Sequence, residues 1–285
     1  MIVITLLNQK GGVGKTTISV HLAHFWALRG MRVLLIDLDA QGHTAYSFGR
    51  IPGNGVFRLF GGDLEIPDVA EEVRPNLHWV SSDKNLNKIR GMYNSVNTKE
   101  KYFFLADKLG EVQGMYDIVV IDGAPGSDLI QMASIIASDY ILIPTKMSLT
   151  DLTSVLNIIQ SAQGVADLDS SIRSPQLLGI IPNEFDRTTS ETKTNLEDIG
   201  NEIGREFILP PIPRDTLVRE AARNGQTIWE YAPSSNAALG WVPNKKVGTN
   251  SVGRIGGYLH LGEQVSKLLN LQLGEVNYGG KPEQA

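Results

Sequence analysis

The sequence predicts an α/β fold: a doubly wound, mostly parallel sheet with helices on both faces. Three observations predict it. Short, continuously apolar runs recur at residues 2–7, 32–38, 116–121, 140–144 and 177–182. Continuous rather than alternating apolarity marks a strand covered on both faces. Amphipathic segments of helical period lie between the later runs: Leu149, Leu152, Val155, Leu156 and Ile159, then Leu196, Ile199 and Ile203. Strands alternating with helices imply right-handed crossovers and hence a parallel sheet. Third, residues 8–17, Asp39, Asp122 and Asn183 all fall at predicted strand C-termini. That is where doubly wound sheets hold ligands.

The first run enters Asn8-Gln9-Lys10-Gly11-Gly12-Val13-Gly14-Lys15-Thr16-Thr17, and a helical pattern of Ile18, Leu22, Phe25 and Trp26 leaves it. Strand, glycine-rich turn, lysine, hydroxyl and helix form a phosphate-binding loop. The backbone N–H groups of Gly11, Gly12, Val13, Gly14 and Thr17 are expected to turn around an anion, which the positive end of the helix also favours. Lys15 is expected to neutralise the β- and γ-phosphates, and the Thr16 hydroxyl to ligate Mg²⁺.

Gly30 stops the first helix. The next run, residues 32–39, ends in two acids, Asp37 and Asp39, which strand alternation puts on one face. Ala40-Gln41-Gly42 then turns away. Residues 43–76, punctuated by Pro52, Gly53, Gly55, Gly61 and Gly62, read as short helices within loops. Residues 77–80 read as a short strand and residues 99–109 as a helix. Asp122 ends the third long run, a position suited to holding Mg²⁺ through water and assisting phosphoryl transfer. Residues 1–273 read as a single domain, with 274–285 a flexible tail.

Composition narrows the function. With 42% hydrophobic and 20% charged residues, the 285-residue chain is globular in type, with no apolar run of membrane-spanning length. It contains no cysteine. That excludes disulfides, cysteine zinc sites and cysteine-ligated iron–sulfur clusters, and suits a cytoplasmic location. The first strand leads directly into the loop, so the N-terminus is not expected to be a targeting segment. A net charge of −5 requires any nucleic-acid contact to come from a local basic patch.

One detail departs from the common phosphate loop, G-x-x-x-x-G-K-[ST]. Its first glycine would stand where Gln9 is, and a second lysine, Lys10, sits inside the loop. Residues 10–17 resemble the deviant Walker A box of the ParA/MinD superfamily. The resemblance implies an ATPase whose extra lysine, here Lys10, reaches across a dimer interface to the partner's nucleotide. Asp37-Leu38-Asp39-Ala40-Gln41-Gly42 resembles the family's Walker A′ segment, D-x-D-P-Q, with Ala40 where proline is frequent. By resemblance Asp39 positions or deprotonates the attacking water, and Asp37 supports the magnesium shell. Asp122 takes the Walker B place, Asn183 the place of a purine reader, and Pro213 part of the opposite wall.

The resemblance runs to about residue 235 and resumes in the last helix. In the ParA branch it implies non-specific DNA binding by an ATP dimer. Arg214, Arg219 and Arg223 are the first candidates for phosphate contacts; Arg219 and Arg223 share a helix face, with Glu220 interleaved. Residues 236–257 look like a basic, glycine-rich insertion with Lys245, Lys246 and Arg254 as its cations. Two readings stand for it: a DNA-facing loop, or an excursion that packs Trp241 on the domain. The implied partners are a second copy of the chain, DNA, and a ParB-like or cargo-adaptor protein that stimulates slow hydrolysis at the nucleoid. The alternative is a MinD-like ATPase recruited to a membrane. It needs a basic amphipathic C-terminal helix, whereas residues 259–273 carry only Lys267, so no membrane partner is expected.

Overall fold

In the computed structural model the structure describes residues 1–61, 64–94, 102–126, 129–148, 151–168, 173–241 and 254–276. Seven strands form one sheet: β1 (Ile2–Leu6), β2 (Val33–Asp37), β3 (Glu71–Arg74), β4 (Leu77–Val80), β5 (Ile118–Asp122), β6 (Tyr140–Thr145) and β7 (Gln176–Pro182). Their order is β3-β4-β2-β5-β1-β6-β7, and every pair is parallel except β3 with β4. The chain fills one side of β1 up to β5, then crosses to the other with β6. The reversal opens a crevice beyond the carboxyl end of β1, the topological switch point of such sheets.

Register lines up the chemistry. Leu6 stands opposite Asp122, and Asp122 opposite Asp37, so the last residues of β1, β5 and β2 form one row. Residues of neighbouring strands in register point to the same face. Alternate residues go to opposite sides. Ile4, Leu6, Ile118 and Val120 pack with Ile18, Leu22 and Phe25 of the helix Lys15–Ala27 and with Leu261 and Val265 of Gly257–Leu268. Val3, Val119 and Ile121 pack on the other side with Leu105, Leu109 and Ile130. Two covered faces are the reason these runs are apolar throughout.

Two local expectations meet a different outcome. Residues 43–76 contain a strand as well as helices: β3 pairs antiparallel with β4 at the sheet edge. Its Glu71 and Glu72 are exposed and only Val73 is buried, so apolar patterning gives no signal. Charges on an edge strand also discourage pairing with another chain. The helix expected over 99–109 runs Phe104–Glu111 among the described residues. In the region read as an insertion, Trp241 and Ile255 exchange two backbone hydrogen bonds at 2.9 Å. Trp241 packs edge-on against Phe185, with the Arg187 guanidinium over its ring. The intervening residues 242–253, with Lys245 and Lys246, lie outside the described residues, as do 277–285 of the tail.

The helix after the loop is tied to the last third of the chain through buried histidines. His21 Nδ1 lies 2.6 Å from the Thr17 carbonyl, while Nε2 accepts the Ile228 N–H at 2.9 Å. Only the neutral Nδ1–H tautomer satisfies both contacts. The ring stacks on Tyr258 with centroids 4.5 Å apart. Burial pushes the His21 pKa down to about 4. The sign follows. Between pH 6.5 and 4 the unfolded chain binds a proton that the folded chain refuses, so stability is lost as pH falls through that window. The shift corresponds to about 3 kcal/mol. The gap in melting temperature between wild type and His21→Phe is therefore expected to narrow from pH 6.5 to pH 4. Thermal melts across that range check it, and a constant gap would remove His21 as the titrating group.

Candidate nucleotide-binding site

The glycine-rich loop is held from the β6–β7 side. Asn8 is buried; its Nδ2 donates to the Pro144 carbonyl at 2.7 Å and its Oδ1 accepts the Lys10 N–H at 2.9 Å. Asn183, past the end of β7, donates from Nδ2 to the Val13 carbonyl at 2.8 Å. Its own N–H is anchored on Thr145. Gly14 has φ 100°, and a Cβ there would overlap the Asn183 carboxamide. Alanine at that position would therefore meet both a backbone penalty and a steric one. Gly11 and Gly12 remain exposed, so the rim of the loop is open main chain at the start of the helix Lys15–Ala27. Main-chain N–H groups at a helix N-terminus favour an anion.

Lys15 lies beneath that rim, 6% exposed, with Nζ donating to the carbonyls of Asn8 at 2.9 Å and Lys10 at 3.1 Å. Burial lowers its pKa, while the negative charges of Asp122 and Asp39 pull it back up. A desolvated ammonium facing two acids and an open anion cradle is poised for a polyanion.

The acids divide into different situations. Asp122 is fully buried; its Oδ1 lies 3.2 Å from the Ser19 hydroxyl, and its Oδ2 has no hydrogen-bond partner. Burial pushes it well above the ordinary carboxylate range and Asp37 adds to this, against the Thr16 hydroxyl and Lys15. A buried carboxylate oxygen without a donor suits a cation. Among the described residues no group of three or more His, Cys, Asp or Glu is arranged to hold a metal alone. The remaining ligands would therefore come from phosphate, hydroxyl and water, the habit of Mg²⁺ rather than of a protein-caged metal. Asp37 is also fully buried and is pushed up to about 7 by burial and by Asp39. Both its oxygens accept hydrogen bonds, from the Asp39 N–H and from Thr44. Asp39 is half-buried, and its Oδ1 accepts the Gln41 N–H at 2.9 Å.

Lys10 is not in the cradle. Its ammonium pairs with Asp151 at the start of the helix Asp151–Gln163 and reaches the Ser148 hydroxyl at 3.4 Å. Asp151 is 1% exposed and also accepts the Thr145 hydroxyl at 2.7 Å and the Ser148 N–H at 2.8 Å. Burial pushes its carboxyl up, but Lys10 and these donors outweigh burial and hold it below its ordinary value. Lys15 thus belongs to the loop's interior, whereas Lys10 lies on its outer side, half-buried.

Elsewhere the structure gathers some expected residues and separates others. The Ile212 N–H bonds to the Pro182 carbonyl, and Phe185 pairs with residues 212–213, so Pro213 lies beside the Asn183 turn. Arg214, Arg219 and Arg223 are exposed, the last two on the helix Leu217–Arg223. None of the three forms an ion pair among the described residues. Arg254 instead donates to the Gly240 carbonyl at 3.2 Å. Sequence reasoning missed Asp151, Thr44 and Ser19. Ser19 stands one turn after Lys15 and was open to a helical-face argument. Asp151 and Thr44 have no local signal, because their partners are set by the fold.

Known proteins resemble this chain in sequence and in fold. A family model described as an AAA domain matches residues 1–173. The chromosome-partitioning ATPase Soj of Thermus thermophilus is 29% identical over 236 residues, covering 82% of this chain and 90% of Soj. The apo structure of Cyanothece McdA superposes with a TM-score of 0.78 at 20% identity, over 94% of this chain and 99% of McdA. The septum site-determining protein MinD of Pyrococcus horikoshii, complexed with Mg-ADP, superposes with a TM-score of 0.71 at 20% identity, over 94% and 97% of the two chains.

Proposed function

Because the chain belongs to the AAA domain family and is a P-loop ATPase of the ParA/MinD type, we propose that it is a positioning ATPase. In this reading it dimerises on ATP and binds DNA without sequence preference. It moves a cargo such as a plasmid, chromosome origin or protein organelle, and a cargo-bound partner stimulates its hydrolysis. The protein uses ATP and Mg²⁺.

One observation carries the dimer. The loop holds two lysines in opposite roles: Lys15 inside it, and Lys10 outside it on Asp151. A single phosphate cradle needs one buried lysine. A second, held outside that cradle on Asp151, supports the reading that it serves a nucleotide bound by another copy. Thr16 and Asp122 would hold Mg²⁺, with Asp37 supporting its shell, and the ion would supply positive charge against the phosphate oxygens. Gly11 to Thr17 bind and orient the phosphates. Asp39 orients the water. Asn183 and Pro213 face the base, for which the Asn183 Oδ1 supplies an acceptor.

Arg214, Arg219 and Arg223 support the DNA reading, being exposed and in no close ion pair among the described residues, although Arg214 is near enough to Asp186 to help lower its pKa. Random duplex binding in the presence of ATP is expected to weaken steeply with salt. Replacing Arg219 and Arg223 by alanine is expected to reduce the log–log slope by about 0.9 for each phosphate that is no longer neutralised. Replacing Lys245, Lys246 and Arg254 tests the insertion in the same way. Fluorescence anisotropy at several salt concentrations, with ATP or ADP, measures both. Equal binding with the two nucleotides would refute the ATP dependence, and a slope untouched by a set of substitutions would remove that set from the interface. Co-sedimentation with anionic vesicles separates this reading from membrane recruitment.

A further inference from the structure

The segment that carries Asp39 is tethered at both ends to one buried carboxylate. Asp37 Oδ1 accepts the Asp39 N–H at 2.9 Å. Asp37 Oδ2 accepts the Thr44 hydroxyl at 2.5 Å and the Thr44 N–H at 3.3 Å. The Thr44 oxygen in turn accepts the Trp79 indole N–H at 2.9 Å. Asp37, Thr44 and Trp79 are all at most 1% exposed. Between the two anchors the chain makes a tight turn, with the Gly42 N–H on the Asp39 carbonyl and the Gln41 N–H on the Asp39 carboxylate.

The indole of Trp79 can only donate, so it takes one lone pair of the Thr44 oxygen. With Asp37 ionised, the Thr44 proton goes to the Asp37 carboxylate, which can only accept. Trp79 stands on β4, and β4 is paired with β2, so the whole chain of bonds is referenced to the sheet. Without the hydroxyl, Asp37 Oδ2 keeps only the longer main-chain bond and the indole N–H is buried without an acceptor. The carboxylate that fixes the Asp39 main chain then loses its strongest restraint.

We propose that Thr44 is a positioning residue for ATP hydrolysis: acting through Asp37, its hydroxyl fixes the main chain of Asp39 so that the Asp39 carboxylate meets the attacking water. The proposal rests on the reading of Asp39 as the residue that orients that water. Phosphoryl transfer is catalysed by placement and charge, so a small displacement of such a group is costly. A misplacement of about 1 Å lowers rates by about 100-fold.

The test compares wild type with Thr44→Val, Thr44→Ser and Asp39→Ala. Single-turnover ATP hydrolysis, ATP affinity and amide hydrogen exchange of residues 37–44 are measured for each. Valine keeps the shape and removes the hydroxyl. It is expected to lower the hydrolytic rate about 30-fold while ATP affinity stays within about threefold, and to speed exchange of the Asp39 amide. Serine is expected to restore both rate and protection. Should valine leave the orphaned indole too costly for folding, Thr44→Val with Trp79→Phe removes that donor and is read in the same way. If Asp39→Ala abolishes hydrolysis while Thr44→Val hydrolyses like wild type, the positioning role is wrong and the role of Asp39 stands. If affinity falls as far as rate and serine does not rescue, Thr44 is merely structural and the proposal fails. If Asp39→Ala hydrolyses normally, the reading of Asp39 fails, and the proposal with it.

Discussion

Replacing Lys10 by alanine is expected to lower ATP turnover about 1,000-fold, the lower end of what a cation supplied in trans contributes to phosphoryl transfer. ATP binding to the monomer is expected to stay within about threefold of wild type, because Lys10 lies on Asp151 rather than in the cradle. Loss of the lysine leaves Asp151 buried without its cation, which itself destabilises the protein. Lys10→Ala combined with Asp151→Asn removes that complication and is expected to be as inactive. Asp151→Asn alone is expected to act in the opposite direction. It removes an intramolecular competitor for Lys10, and a hydrogen-bonded charge pair whose lysine is 29% exposed is worth about 1 kcal/mol. The protein concentration needed for ATP-dependent dimers should fall about fivefold. Light scattering with ATP, beside phosphate release, reads both. Normal turnover in Lys10→Ala would refute the role in trans, and a weaker dimer in Asp151→Asn would show that Asp151 acts within the dimer.

Replacing Lys15 by alanine is expected to weaken ATP binding by at least about 100-fold, equivalent to about 2.7 kcal/mol. The reason is its position: nearly buried, donating to two loop carbonyls, and facing Asp122 and Asp39. Without it the cradle presents two acids to an incoming polyanion. The Asn8 and Lys10 carbonyls also lose a donor, so the melting temperature without nucleotide is expected to fall as well. Titration with a fluorescent ATP analogue at a temperature where circular dichroism shows the variant folded keeps the two effects apart. A dissociation constant within about threefold of wild type would mean that Lys15 does not face the phosphates.

The contrast between the two lysines shows how far the sequence can be read. That both belong to one loop follows from strand, glycines and helix in immediate succession, because backbone geometry over about ten residues is local. Which of them faces inward is not local. Lys10 finds Asp151 only because β6 is placed beside β1, bringing residues 141 apart in the chain into an ion pair. The same holds for the acids. Alternation put Asp37 and Asp39 on one face, but strand register set Asp37 beside Asp122 and left one Asp122 oxygen without a donor.

β3 exposes two glutamates and buries one valine, so no apolar pattern marks it; backbone pairing with β4 alone forms it. Thr44 resembles any turn threonine until the fold brings Asp37 and Trp79 to its hydroxyl.

By itself, then, the sequence determined the doubly wound sheet, the phosphate loop and the placement of its acids at strand ends. These depend on hydrophobic period and on residue order within single strand–turn–helix units. Only the tertiary structure decided the partners: Lys10 with Asp151, Asn183 with the loop backbone, Thr44 with Asp37, and His21 with the Ile228 turn. The physical reason is that a buried polar group must find a partner wherever the packed chain supplies one, and strand order rather than sequence distance sets who that is.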